Sequence, residues 1–249
     1  MKNNKSPGLD GYTVEFLKFF WNDIGHFVLR SVNEGYNSGE LSVSFRRGVI
    51  TCIPKQDKCK FLLKNWRPIS LLSVLYKLAS LCIAERMKKV LPMGIHGDQK
   101  GFIKDRFIGE NLRIIYDIMF ESKARNIPGI ILLIDFEKAF DSVSWQFLRK
   151  CLHFFNFGES MIRWVSVLYK NTESCIIQNG HLGDSFKLGR GCRQGDPLSP
   201  YLFLLAAEVM GIMIRSNTKI KGIEIDNTVY KISQYAMTLS CFWMAVMPL

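Results

Sequence analysis

The sequence predicts an α+β fold, helices packed on antiparallel sheet, from three features. Thr13 to Asn33 carries apolar residues at Val14, Phe16, Leu17, Phe20, Ile24, Phe27, Val28 and Val32, the stripe of an amphipathic helix. Ile130 to Phe136 is an almost unbroken apolar run ending beside Asp135, the pattern of a strand buried on both faces. Asn179-Gly180, between Cys175–Gln178 and Ser185–Leu188, is a hairpin turn signal.

The remaining elements follow in order. Ser6 to Gly11 reads as a turn, since Pro7 fixes φ and its glycines permit positive φ. Gly48 to Lys55 is a short strand stopped by Pro54, and Pro68 keeps Trp66 to Ile69 extended. Leu71 to Val90 and Glu110 to Ala124 carry helical periodicity, and Asn126-Ile127-Pro128-Gly129 punctuates the chain. Asp141 to Ser144 supplies cap residues for a helix reaching about Phe155. Gly189 to Pro200 is a polar loop, Pro200 to Met213 a helix, and Val229 to Ala236 a strand.

The 249 residues suffice for one large or two small domains with a real core, and 48% hydrophobic with 22% charged residues excludes a disordered tail or fibre. Seven cysteines (Cys52, Cys59, Cys82, Cys151, Cys175, Cys192 and Cys241) form no CxxC pair, so neither a disulfide framework nor a zinc knuckle is supported. The first residues lack a signal-peptide core, and no apolar run reaches the roughly 18 residues of a membrane span. The expectation is a soluble intracellular protein with no membrane partner.

The formal net charge of +11 is uneven: residues 1–128 hold 21 basic and 12 acidic side chains, the rest 12 and 10. Between Arg46 and Arg67 lie seven basic residues (Arg46, Arg47, Lys55, Lys58, Lys60, Lys64, Arg67) against Asp57 alone. Such a stretch suits a phosphate-rich ligand, because each cation neutralises a phosphate and releases a counterion. A solvated loop that maintains solubility is the competing reading.

Two constellations carry chemistry. Asp135 stands where a buried strand should emerge, a costly place for a charge unless a divalent metal compensates it. Asp141, six residues on, reads more readily as a helix cap. Gly191-Cys192-Arg193-Gln194-Gly195-Asp196-Pro197-Leu198-Ser199-Pro200 combines close-approach glycines, fixed donors and an Asp-Pro step that opens a helix, or forms an ordinary loop-to-helix junction.

The order of Ile53-Pro54-Lys55, Asn65 to Ser70, Gln99-Lys100-Gly101-Phe102-Ile103, Asp135 to Asp141 and Arg193 to Pro200 resembles the reverse transcriptases of LINE-type (non-LTR) retrotransposons, across nearly the whole chain. The resemblance implies a right-hand polymerase: a fingers region over 1–128 and a partial palm over 129–236, with part of 145–193 packing with the fingers. It implies RNA-directed DNA synthesis with Mg²⁺, an RNA template, a DNA primer and deoxynucleotide triphosphates. Lys55 and Arg67 match residues that hold the triphosphate. Asp135 matches the first catalytic, metal-binding carboxylate, with the backbone of Phe136 beside it. Phe140 matches the aromatic gate against a 2′-hydroxyl, which excludes by clash, and core packing is the plainer alternative. Gln194 and Gly195 match nucleotide-packing residues. Arg46, Arg47, Lys58, Lys60 and Lys64 are assigned to nucleic-acid contact.

The chain departs from the family where Tyr-Ala-Asp-Asp is expected, since Gln234-Tyr235-Ala236 is followed by Met237-Thr238. No counterpart of a thumb, an upstream endonuclease or a C-terminal region is recognised. The segment 237–249 holds no charged residue and is too short to span a bilayer. Met is ATG and Thr begins AC, so the frame one base earlier reads GAC, aspartate, at the second position after Ala236. In that frame Phe242-Trp243-Met244-Ala245 yields Leu-Asp-Gly. The expectation is a frameshifted tail, an inactive truncated polymerase, and an aggregation-prone strand near Val229 left without its partner. The alternative is a non-catalytic nucleic-acid-binding or host-recruited interaction protein.

Overall fold

The computed structural model describes residues 1–236 and 238–244. In chain order the elements are α1 (Val14–Phe19), α2 (Trp21–Ser38), α3 (Val43–Arg46), β1 (Arg47–Pro54), β2 (Trp66–Leu72), α4 (Val74–Gly94) and α5 (Ile108–Ala124). They continue with β3 (Gly129–Asp135), α6 (Ala139–Ser142), α7 (Trp145–Phe154), α8 (Glu159–Tyr169), β4 (Glu173–Gln178), β5 (His181–Leu182) and β6 (Phe186–Lys187). The chain ends with α9 (Ser199–Ser216), β7 (Ile223–Ile225), β8 (Thr228–Tyr230), β9 (Ile232–Tyr235) and β10 (Thr238–Met244). The mixed composition agrees with the α+β expectation.

Two compact units form. The first joins Met1–Arg86 to Phe140–Ser199. Its sheet runs β2-β1-β4-β5, with β6 also on β4. β1 lies antiparallel to β2, from Gly48 opposite Leu72 to Pro54 opposite Trp66, and parallel to β4. Asn179 (φ 50°) and Gly180 (φ 79°) form the two-residue turn to β5. The expected return strand 185–188 is interrupted: β6 pairs with β4 in a register shifted by one residue from β5, and Gly183 donates to the Ile176 carbonyl between them. Thr13 Oγ1 caps α1 by accepting from the Phe16 N–H, and Val14 and Leu17 pack on Val74. The expected single helix 13–33 is broken at Phe20. Ser144, rather than Asp141, stands at the N-cap of α7, because Asp141 is taken up in the short α6.

The second unit comprises Met87–Ala139 and Pro200–Leu249. Its core gathers Ile118, Ile223 and Ile225, with Ile114, Ile115, Ile127, Ile131 and Tyr230 against them. The expected strand 229–236 is two strands, because residues 228–230 fold back on β7 around Asp226 (φ 48°) and Asn227 (φ 65°). Its second half, β9, does not lack a partner. β10 runs antiparallel to both β3 and β9, with Thr238 opposite Asp135 and also opposite Tyr235. The tail is rich in the branched and aromatic residues that suit a pleated surface, which explains its pairing despite its unusual composition. Residues 237 and 245–249 of that tail lie outside the described residues.

β3 corrects a second expectation. It is a true strand, but Ile130 (56%), Leu132 (54%) and Leu133 (66%) are exposed rather than buried on both faces. It occupies the end of the β3-β10-β9 order, so no described strand covers its outer edge. Helix α9 is long and apolar enough to cross a membrane by length and composition. It buries Glu208 and pairs it with Arg215, as a core helix does.

Candidate nucleotide and nucleic-acid site

In the first unit the β1–β2 hairpin carries Lys55 and Arg67. The Lys55 N–H donates to the Asn65 carbonyl at 2.8 Å, and its Nζ donates to the Lys64 carbonyl at 2.9 Å. Arg67, across the ladder from Ile53, is exposed. The seven basic residues do not form one patch. Arg46 pairs with Glu40, and Arg47 with Glu173 at 3.0 Å. Arg46 ends α3 and Arg47 begins β1, roughly 23 Å of strand from Pro54. Lys58, Lys60 and Lys64 are exposed on the connection between β1 and β2. The nucleic-acid role assigned to Arg46 and Arg47 thus meets an acidic partner at each residue, whereas the hairpin lysines project into solvent.

The Arg193–Ser199 loop shows why that motif has its composition. Gln194 and Gly195 are exposed, while Arg193 and Asp196 on either side are buried. Arg193 donates to the Arg46 carbonyl at 2.8 Å and lays its guanidinium over the Tyr76 ring, 4.5 Å from the centroid. Asp196 accepts from Ser80 Oγ, from Tyr76 (3.3 Å), Tyr169 (3.4 Å) and Ser199 (3.4 Å), and from the Leu198 N–H (3.1 Å). Burial pushes the Asp196 carboxyl above its usual range, and burial, aided by the Asp196 charge, raises the Tyr76 and Tyr169 phenols well above theirs. Gly195 adopts φ +80°, and a Cβ there would lie 3.2 Å from the Ser70 carbonyl, so the loop rests close on β2.

Phe140, half-buried, is tied to this loop through its carbonyl, which accepts from the Cys192 N–H at 2.6 Å. Gly191 likewise donates to Val143 at 2.8 Å, and Trp145 Nε1 to Gly191 at 2.8 Å. Lys55, Arg67, Phe140, Gln194 and Gly195 therefore belong to one unit. Sequence reasoning identified the exposed pair and missed the buried Asp196 that holds it, although an Asp-Pro step opening a helix was the visible signal.

In the second unit Asp135 ends β3 and is exposed, so the burial argument for a compensating metal does not apply to it. Phe136 follows, half-buried. The β9–β10 turn is built by residues to which the sequence reading gave no role of their own. Gln99, 1% exposed, accepts through Oε1 from the N–H groups of Gly101 and Ala236, both at 2.9 Å, and donates to Gln234 Oε1 at 3.1 Å. Asn111 Nδ2 donates to Ser233 Oγ at 2.7 Å and to the Gln234 carbonyl at 2.9 Å. The turn is thus clamped with Ala236 at φ +50° and residue 238 in register with Asp135. A two-metal site needs carboxylates from both strands. The residue facing Asp135 is Thr238, and among the described residues no three His, Cys, Asp or Glu side chains converge. The donor set does not fit Mg²⁺ held in that manner.

Residues 53–236 match the family model described as reverse transcriptase (RNA-dependent DNA polymerase). The chain is 39% identical over 215 residues to the uncharacterized 149 kDa protein of transposon TX1 from Xenopus laevis, covering 86% of this chain and 16% of that protein. It is 28% identical over 241 residues to a retrovirus-related Pol polyprotein from the type-2 retrotransposable element R2DM of Drosophila melanogaster, covering 96% and 22%. In fold it is similar to apo telomerase from Candida tropicalis truncated from its C-terminal domain, with TM-score 0.56, 12% identity, and coverage of 96% of this chain and 52% of that one. The chain spans about a fifth of the length of these two curated relatives.

Proposed function

The chain belongs to the reverse transcriptase (RNA-dependent DNA polymerase) family, in its LINE-type retrotransposon branch, and from that premise we propose that it is a polymerase domain fragment that binds nucleic acid without polymerising. The observation carrying this reading is the register of β10 on β3. The turn and the ladder are present, yet the residue aligned with Asp135 is Thr238, which has no carboxylate. Lys55, Arg67, Phe140, Gln194 and Gly195 are the proposed nucleotide-facing residues, and Lys58, Lys60 and Lys64 the proposed phosphate contacts. A metal clamp contributes several kcal/mol to phosphoryl transfer, and each 1.36 kcal/mol is tenfold in rate. Primer extension on an RNA template with Mg²⁺ is expected to give no product, while the same chain retains RNA in a manner that weakens as salt rises. Template-dependent synthesis abolished by Asp135→Ala would overturn the reading.

We attribute the missing carboxylates to a frameshift at the Ala236–Met237 boundary, in the gene or in the gene model. Sequencing the locus is expected to show Asp-Asp and Leu-Asp-Gly codons one base out of frame. A locus whose frame runs intact through Met237, with no recoverable pair of Asp-Asp codons one base out of frame, would show the tail to be native.

A further inference from the structure

The connection between β1 and β2 is a built tip. Asn65 Nδ2 donates to the Cys59 carbonyl at 2.8 Å, Trp66 Nε1 to the Lys60 carbonyl at 2.8 Å, and the Asn65 N–H to the Leu62 carbonyl at 2.9 Å. With the backbone tied at both flanks, the side chains between are pushed outward. Phe61 is 98% exposed and Leu63 80%. With Leu62 (48%) beside them they form a contiguous apolar tip, and leaving Phe61 in water forgoes roughly 1.5–3 kcal/mol relative to burial. Its neighbours decide the occupant. Lys58, Lys60 and Lys64 surround it against Asp57 alone, so the surface favours a polyanion over an apolar protein face.

We propose that Phe61 stacks on an unpaired base of a single-stranded nucleic acid whose phosphates are met by Lys58, Lys60 and Lys64. The proposal rests on the nucleic-acid-binding reading and names the contact within it. Lysines supply the salt-dependent, sequence-independent attraction, and an aromatic ring supplies a π-face that any base can cover. The two contributions separate cleanly. Phosphate contacts set the slope of affinity against salt, while stacking shifts affinity without changing that slope.

The test is the binding of fluorescein-labelled single-stranded RNA across a salt series. Phe61→Ala is expected to weaken binding about tenfold at every salt concentration, with the slope unchanged. Phe61→Leu should be equally weak, because leucine has bulk and no π-face. Phe61→Trp should restore affinity, with its indole emission quenched on binding. Replacing Lys58, Lys60 and Lys64 together by glutamine should lower the slope by about 2, three charges at about 0.7 each. Parent-like binding by Phe61→Ala or Phe61→Leu overturns the stacking contact alone, provided the parent shows salt-dependent binding. Absence of such binding by the parent overturns this contact and the broader reading together. A change in self-association of Phe61→Ala with unchanged RNA affinity would make the tip a protein contact instead.

Discussion

Asp196→Ala is expected to destabilise the chain by about 3–5 kcal/mol, the cost of removing one member of a buried, charge-centred network. The loss arises from the groups left behind. The Ser80, Tyr76, Tyr169 and Ser199 hydroxyls all converge on this carboxylate, and all four residues are buried. Asp196→Asn retains the volume and one acceptor oxygen but introduces an amide donor among donors, so it should fall between parent and alanine variant. The two proteins should also differ in pH dependence. Burial holds the folded carboxyl above its ordinary value of 3.8, to which unfolding returns it. Between the two values the folded chain binds the more protons. This group's contribution to stability is therefore full below about pH 4 and declines as pH rises through the folded value. Asp196→Asn has nothing to titrate there, so its deficit relative to the parent should narrow with rising pH. Urea unfolding followed from about pH 4 to about pH 8 measures both. An alanine variant with the parent's midpoint, or an asparagine deficit that does not vary with pH, would contradict this account.

What sequence reasoning recovered and what it missed divide along a physical line. Signals acting within a few residues were legible: the stripe that became α2, the Asn179-Gly180 turn, and the Asp-Pro step that opens α9. Proline also marked strand limits correctly, with β1 ending at Pro54. Burial was not legible, because it depends on what lies across space. Ile130 to Ile134 reads as a doubly covered strand, yet β3 leaves three of its large apolar side chains exposed. The run Asp226-Asn227 carried a turn signal of the same kind as Asn179-Gly180. The flanking strands were only three residues each, too short to show alternation, so β7 went unread and β8 was merged with β9 into one longer strand. The candidate site shows the same division. Lys55, Arg67, Gln194 and Gly195 were readable as motif residues, whereas Asp196, Gln99 and Gln234 draw their roles in large part from partners far along the chain, such as Ser80 to Asp196 at 116 residues and Gln99 to Gln234 at 135.

Stopping the chain after Ala236 is expected to unfold the second unit rather than merely trim it. β10 supplies seven residue pairs to β3 and four to β9, and β3 has no other strand partner among the described residues. Without β10, β3 would present two unpaired edges beside Ile130, Leu132 and Leu133, while β9 would keep only the single bridge from Gln99 to Gln234. Isolated strands of this length are at best marginal in water, and at about 1 kcal/mol net per ladder hydrogen bond the loss matches much of the 5–15 kcal/mol that a domain possesses. The truncated chain should therefore show reduced strand signal by circular dichroism, a broadened urea transition and concentration-dependent aggregation, where the full chain unfolds cooperatively. The comparison also separates the two things a coding tail can contribute. A threonine in register with Asp135 supplies no carboxylate charge to a metal, but its backbone pairs as well as an aspartate's, because ladder hydrogen bonds are made by groups every residue carries. A chain ending at Ala236 that stays monomeric with the parent's midpoint would show that β10 contributes no stability and that β3 is held by other contacts.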